Sequence, residues 1–225
     1  MEPLYIDAVQ PRHRVSNKER RQLVIEATLA SLARGGVTGT SLRSVCRDMG
    51  VAPSLLRHSF AGWQEVLIAT FTTVAEHHAA AVRSIIFQNY LSEEQRMEAL
   101  VKCYLDADWM GDSTTSIMLA FWQLSHTIPA LGDLFTQFQA DRHSALRRAC
   151  AAMAQQLQVD LDIDDATTWL ILMMDGVWLH LSLNPDVATR EYLRALCRTW
   201  VMERLTETHE SDNPPCPVTR PWHMH

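Results

Sequence analysis

The stretch from Thr40 to Phe60, TSLRSVCRDMGVAPSLLRHSF, reads as two short helices folded about a tight turn. Leu42, Val45, Cys46 and Met49 recur at helical spacing, which gives the first helix one apolar face. Thr40 or Ser41 caps its start, because a side-chain oxygen there accepts from backbone N–H groups that lack a partner in the first turn. Gly50 stands where the chain must leave the helix through a left-handed residue. Val51 suits a buried turn, and Pro53 suits the first turn of a new helix, where its missing N–H is not needed. Leu56 and Phe60 then share one face, leaving Ser54, Leu55, Arg57 and His58 on or beside the other. The pair is either a helix-turn-helix, whose second helix can enter the major groove of DNA, or an αα corner of the kind found in helical proteins of every function.

Charge favours the first alternative. A basic arm with Arg12, Arg14, Lys18, Arg20 and Arg21 precedes the motif. Residues 1–62 carry nine Lys/Arg against five Asp/Glu, whereas the remainder carries eleven against twenty-one. A small phosphate-facing head on a larger acidic body has this asymmetry. The chain as a whole has a formal charge of −6, so DNA binding must come from local charge.

The periodicity is helical throughout, and neither strand alternation nor a hairpin signal occurs. Helices are expected over Lys18–Arg34, stopped by Gly35-Gly36, then over the motif, then over Trp63–Phe87 after Gly62. Further helices are expected from Ser92 to Trp109, Ser113 to His126 (with Pro129 and Gly132 punctuating its end), Leu131 to Leu157, Asp164 to Leu183 and Thr189 to Thr206. The fold class is therefore all-α with about nine helices. The domains expected are a flexible basic arm (1–17), a three-helix helix-turn-helix head (18–62), a helical ligand-binding and dimerisation body (63–208) and a disordered Pro-rich tail (209–225).

Composition excludes several classes. No apolar run of 18 residues exists, so no membrane span is expected, and the N-terminus lacks the apolar core of a signal peptide. The five cysteines are scattered and odd in number, as for reduced thiols in a cytoplasm, where most serve as small core residues. GxSxG, HExxH, GxGxxG and P-loop motifs are all missing. His77 and His78 are adjacent and so point to different faces of a helix, a poor arrangement for joint metal ligation. Neither catalytic residues, nor a metal site, nor a cofactor is assigned.

The order of elements, and residues 20–69 in particular (RRQLVIEATLASLARGGVTGTSLRSVCRDMGVAPSLLRHSFAGWQEVLIA), resemble the TetR family of repressors. In the body, LAFWQLSHTIPALGDLF (119–135) and MMDGVWLHL (173–181) are similar to its choline-responsive, BetI-like branch. The resemblance implies a homodimer that binds a near-palindromic operator and is released by a small effector. Two departures stand out. The family has Tyr-Phe at the end of the recognition helix and Lys at the start of the fourth helix, both of which touch phosphates, where this chain has Ser59-Phe60 and Trp63. Removing such a phosphate partner lowers affinity and flattens its salt dependence.

Roles follow from residue type and position. Arg57 and His58 can reach base edges, Arg being the commonest partner of guanine O6/N7. Ser54 and Leu55 suit a phosphate and a thymine methyl. Thr40 and Ser41 can direct donors to a phosphate from a helix N-terminus, Ser59 retains one hydroxyl donor, and Arg43 resembles a position that touches DNA in the family. The body is rich in tryptophan, with Trp109, Trp122, Trp169, Trp178 and Trp200. Aromatic faces attract quaternary ammonium groups. Asp175 lies in the apolar run WLILMMDGVWLHLSL, three residues before Trp178 and on nearly the same face. It needs a partner: a bound cation, His180 or an Arg are the options, beside a capping role. Tyr104, Asp108 and Trp109 form a second aromatic-acidic cluster. The effector residues expected are Tyr104, Trp109, Trp122, Asp175 and Trp178.

Tyr192, Leu193, Leu196, Cys197, Trp200 and Val201 make an apolar stripe on the last helix, and residues 169–183 are apolar nearly all round, more than one contact face needs. Trp169, Gly176, Leu193, Leu196 and Trp200 are the expected dimer contacts, with Gly176 permitting close approach. The partners expected are double-stranded operator DNA, a small-molecule effector and a second copy of the chain, in the cytoplasm and with no membrane. The rival reading is a ligand- or partner-binding protein with this fold that has lost specific DNA binding.

Overall fold

A computed structural model describes residues 16–105 and 114–183, with Tyr192, Ala195, Leu196, Thr199 and Glu203 beyond them. Most of the basic arm, residues 106–113 with Trp109, most of the ninth expected helix and the tail lie outside the described residues. Eight helices are described: α1 (Asn17–Gly39), α2 (Leu42–Asp48), α3 (Pro53–Leu56), α4 (Trp63–Ile86), α5 (Glu93–Leu105), α6 (Thr114–Ser125), α7 (Pro129–Leu157) and α8 (Ile163–Leu183). No strand occurs among the described residues, and none of their helices is long and apolar enough to cross a membrane.

The helix ends follow local chemistry. Ser16 and Glu19 form a capping box in which the Ser hydroxyl accepts from the Glu19 N–H and the Glu carboxylate accepts from the Ser16 N–H at 2.7 Å. Those hydrogen bonds hold the exposed Glu19 carboxyl below its usual range. Ser41, rather than Thr40, caps α2, with Ser44 supplying the return bond that a Glu usually gives. In α8, Asp162 accepts from the N–H groups of Asp164 and Asp165, both at 3.0 Å.

The expected stop at Gly35-Gly36 is a break at Gly36 alone (φ 57°, ψ −159°), after which one further helical turn runs to Gly39. Gly50 has φ 68°, the left-handed exit expected of it. Pro129 begins α7 instead of preceding it, since Pro is favoured at the first helical position. Gly132 is inside that helix, where a Cβ would stand 3.0 Å from the carbonyl oxygen of Ser125. It is a close-packing glycine at the α6–α7 turn, not a helix stop.

The described chain forms two compact units: residues 16–77 with 114–136, and residues 78–105 with 137–183. In the first, Val24, Ile25, Cys46, Leu56, Phe60 and Val66 make a buried core around α1–α3 and the start of α4, and α1 packs on α6. Phe71 stacks on Phe135 (5.8 Å between centroids) and meets Phe121 at 5.0 Å. In the second unit, Leu100, Leu146, Met153, Leu170 and Met174 centre a core shared by α5, α7 and α8. Cys46 and Cys150 are buried core residues, and burial pushes both thiols up.

Arg96 fastens the turn between α4 and α5. Its guanidinium donates to the carbonyl oxygens of Ile85 (3.0 Å), Ile86 (2.5 Å), Gln88 (3.3 Å) and Leu91 (3.4 Å), and to Glu93. One side chain thereby supplies donors to the last two carbonyls of α4 and to two carbonyls of the turn that follows. Replacing Arg96 by Met keeps the aliphatic stem but removes every donor. Arg96→Met is expected to lower the free energy of unfolding by about 2–3 kcal/mol, read from the urea midpoint at unchanged slope.

Candidate nucleic-acid interface and effector site

The head presents one polar surface because its other surface is consumed by packing. Leu56 and Phe60 are buried against α1 and α2, and the recognition segment turns other residues outward. Ser54, Leu55, Arg57 and His58 are all exposed, as is Arg43 on α2. The recognition helix proper is short: Pro53–Leu56 is helical and Arg57 is its C-cap.

Three of the expected DNA-facing hydroxyls have other engagements. Thr40 is buried, with its hydroxyl 3.1 Å from that of Ser31. Ser41 is exposed, but its hydroxyl is occupied by the α2 cap. Ser59 is buried, and its hydroxyl donates to Asn17 Oδ1 at 2.6 Å. A hydroxyl one bond from Cβ is too short to reach past the head surface, so it turns inward where a longer Tyr would project. Trp63 is half-buried and packs on the head core.

Residues to which the sequence assigns no such role hold this surface in place. The Arg21 guanidinium lies over the Phe60 ring, 4.0 Å from its centroid. It donates to the Ser59 carbonyl oxygen and to Glu65 Oε1 at 3.0 Å. The other carboxylate oxygen of Glu65 accepts from the Ala61 N–H at 2.5 Å. The Ala61 hydrogen bond, seconded by Arg21, keeps the Glu65 carboxyl below its ordinary value. The sequence signal is weak: Arg21 reads as part of the basic arm, and its carboxylate partner lies far along the chain.

In the second unit, α4, α5, α7 and α8 bring together an aromatic and charged cluster. His78 is buried, with its ring 4.7 Å from Tyr104 and 5.1 Å from Phe138. Burial raises the Tyr104 phenol well above its ordinary value, against the opposing pull of the Arg142 guanidinium. Arg142 follows Phe138 by one helical turn on α7. It grips Asp175 of α8 in a two-pronged pair, Nη1 to Oδ1 at 2.6 Å and Nη2 to Oδ2 at 2.9 Å. Of the three partners open to Asp175 in the sequence, an Arg is the one realised.

The remaining expected effector residues are dispersed. Trp178 is half-buried on α8. Trp122 is exposed on α6 and belongs to the first unit, whereas Tyr104 belongs to the second. Trp109 lies outside the described residues. His78, Phe138 and Arg142 are not among the expected residues, because the pattern of one helix does not reveal which faces of α4, α5, α7 and α8 converge.

On α8, Trp169, Leu172, Gly176, Leu179 and Leu183 are all exposed. Their spacing of three and four residues aligns them in a single apolar stripe. Leu196, and the neighbouring Tyr192, are also exposed; Leu193 and Trp200 lie outside the described residues.

Comparison with known proteins places these features. Residues 93–206 match the family described as BetI-type transcriptional repressor, C-terminal. The HTH-type transcriptional regulator BetI of Pectobacterium carotovorum subsp. carotovorum (strain PC1) is 27% identical over 190 residues, 84% of this chain and 95% of that protein. Among solved structures, a transcriptional regulator from Pseudomonas aeruginosa PAO1 is 26% identical with a TM-score of 0.73, covering 85% of this chain and 93% of its own. A regulator from Saccharomonospora viridis, solved in complex with choline, shares the fold at a TM-score of 0.74 and 16% identity, over 82% of this chain and 96% of its own.

The Arg21–Glu65 latch gives a test of how the head is held. Glu65→Ala is expected to speed amide hydrogen exchange at Ala61 and Ser59 while leaving the α5 and α8 amides unchanged. The wild-type latch is at full strength at neutral pH and weakens only as pH falls through the lowered Glu65 pKa, where the carboxylate gains a proton.

Proposed function

This chain belongs to the BetI-type transcriptional repressors of the TetR family, and from that premise we propose that it acts as a homodimeric repressor released from its operator by a small effector. The observation that carries the reading is the two-sided head. Leu56 and Phe60 anchor the recognition segment, while Ser54, Leu55, Arg57 and His58 stand in solvent beside Arg43. This is the arrangement that lets a short helix offer side chains to base edges without disturbing its own core. Arg57 and His58 read bases, Ser54 and Arg43 meet the phosphate backbone, and Leu55 meets a thymine methyl.

The apolar stripe on α8 supports the dimer. Leu172 and Leu183 are 57% and 73% exposed in the single chain, an arrangement that a second copy of α8 relieves. Gly176, in the middle of the stripe, lets two helices approach closely. Two heads then meet successive major grooves, about 34–36 Å apart. The effector acts by binding the DNA-incompetent arrangement more tightly than the competent one, the only way a ligand can shift such an equilibrium. Helix α4 is the suitable lever, since it carries Glu65 of the head latch and His78 of the aromatic cluster.

A second reading, a protein with this fold that no longer recognises an operator, draws on Ser59 and Trp63. Ser59 is turned inward and Trp63 is partly packed away, so two of the family's phosphate partners are missing. Selection of genomic fragments by the purified protein, at low and physiological salt, separates the two. One enriched palindromic site is expected. Arg57→Ala is expected to weaken binding to that site by about 1–3 kcal/mol, measured by titration of labelled DNA, and no enrichment at either salt moves the second reading ahead. For the dimer, Leu172→Asp with Leu179→Asp is expected to yield a folded monomer in sedimentation velocity; an unchanged dimer places the interface elsewhere.

A further inference from the structure

The ion pair between Arg142 and Asp175 is asymmetric. Asp175, the negative end, keeps 48% of its side-chain surface exposed, whereas Arg142, the positive end, keeps 12%. The carboxylate faces water and the guanidinium faces the packed side. Arg142 uses its two terminal nitrogens on Asp175. Its Nε is buried and makes no hydrogen bond among the described residues. A buried charged donor without an acceptor is costly, because water that would have solvated it has been removed. Next to it, one turn back on α7, Phe138 meets His78, which in turn meets Tyr104. Arg142 also acts electrostatically on the Tyr104 phenol, opposing the rise that burial causes.

A free ammonium cation fits this environment poorly. Both oxygens of Asp175 already accept from Arg142, and a second cation there would be repelled by the guanidinium. An anion fits. A carboxylate offers an acceptor to Nε–H in a charge-assisted bond, and an apolar or aromatic body attached to it packs on His78, Tyr104 and Phe138. We propose that this cluster of the second unit binds a small carboxylic acid, with Arg142 as the partner of its carboxylate. The proposal rests on the reading of the second unit as the effector-binding part of a regulator and names the class of that effector. Asp175 then holds Arg142 in position and competes with the ligand for it.

The test is calorimetric titration of the full-length protein with phenylacetate, octanoate, the amide of each, and choline. At least one carboxylate is expected to bind about tenfold or more tightly than its own amide, the advantage expected of a charge-assisted bond. This comparison needs no variant. Arg142→Gln is expected to erase the difference, and Asp175→Asn, which frees the guanidinium, to tighten carboxylate binding. The proposal is overturned if every carboxylate and its amide bind alike, or if none binds below about 10 mM. It is equally overturned if choline binds and Asp175→Asn abolishes that binding, which marks Asp175 as a cation's partner. Fragment selection on the same preparation keeps the two readings apart. Carboxylate discrimination without any enriched operator upholds the acid site and removes the regulator, while an enriched operator without discrimination does the reverse.

Discussion

A helix of a single turn forms too few internal hydrogen bonds to outweigh the entropy of ordering it, and Pro53–Leu56 is such a helix. The surface offered by the head therefore depends on how that turn is held. Leu56 and Phe60 bind it to the core from within, and Arg21 binds it from outside, stacked on Phe60 and bonded to the Ser59 carbonyl and to Glu65. Glu65 closes the circuit through the Ala61 N–H at the start of α4. The positions of Arg57 and His58 are thus set by α1 and α4 as much as by the helix that carries them.

The second unit shows how a polar pair is tolerated in an apolar setting. Arg142 and Asp175 satisfy each other in two parallel bonds, which removes most of the cost of burying the guanidinium. The remaining donor on Nε and the rings of His78, Tyr104 and Phe138 give the cluster a chemical character of its own. The run around Asp175, read alone, suggests a carboxylate awaiting a cation. The protein's own Arg142 takes that place, and the group left without a partner among the described residues is its Nε donor instead of a carboxylate.

The helical fold and the head motif are legible in the sequence because their signals are local. Capping at Ser41, the left-handed Gly50 and the Pro53 start each involve residues within a few positions of one another. Residues that join distant segments are not legible in this way. Ser59 reads as a surface donor, yet its hydroxyl is bonded to Asn17 at 2.6 Å. Gly132 reads as a helix stop, yet the Ser125 carbonyl stands where a side chain would begin. Residue type alone favours every tryptophan equally, so Trp122 on the surface stands out and Phe138 beside His78 does not.

By itself the sequence determined the all-helical architecture and the two-sided recognition segment, both of which are written in periodicities of three and four residues along one element. Only the tertiary structure decided which hydroxyls of the head face inward, which donor is left without an acceptor in the second unit and which side chains of α4, α5, α7 and α8 meet. Those outcomes depend on distances between residues far apart in the chain, and hydrogen bonds and ion pairs form only where the packing of helices brings their ends within about 3 Å.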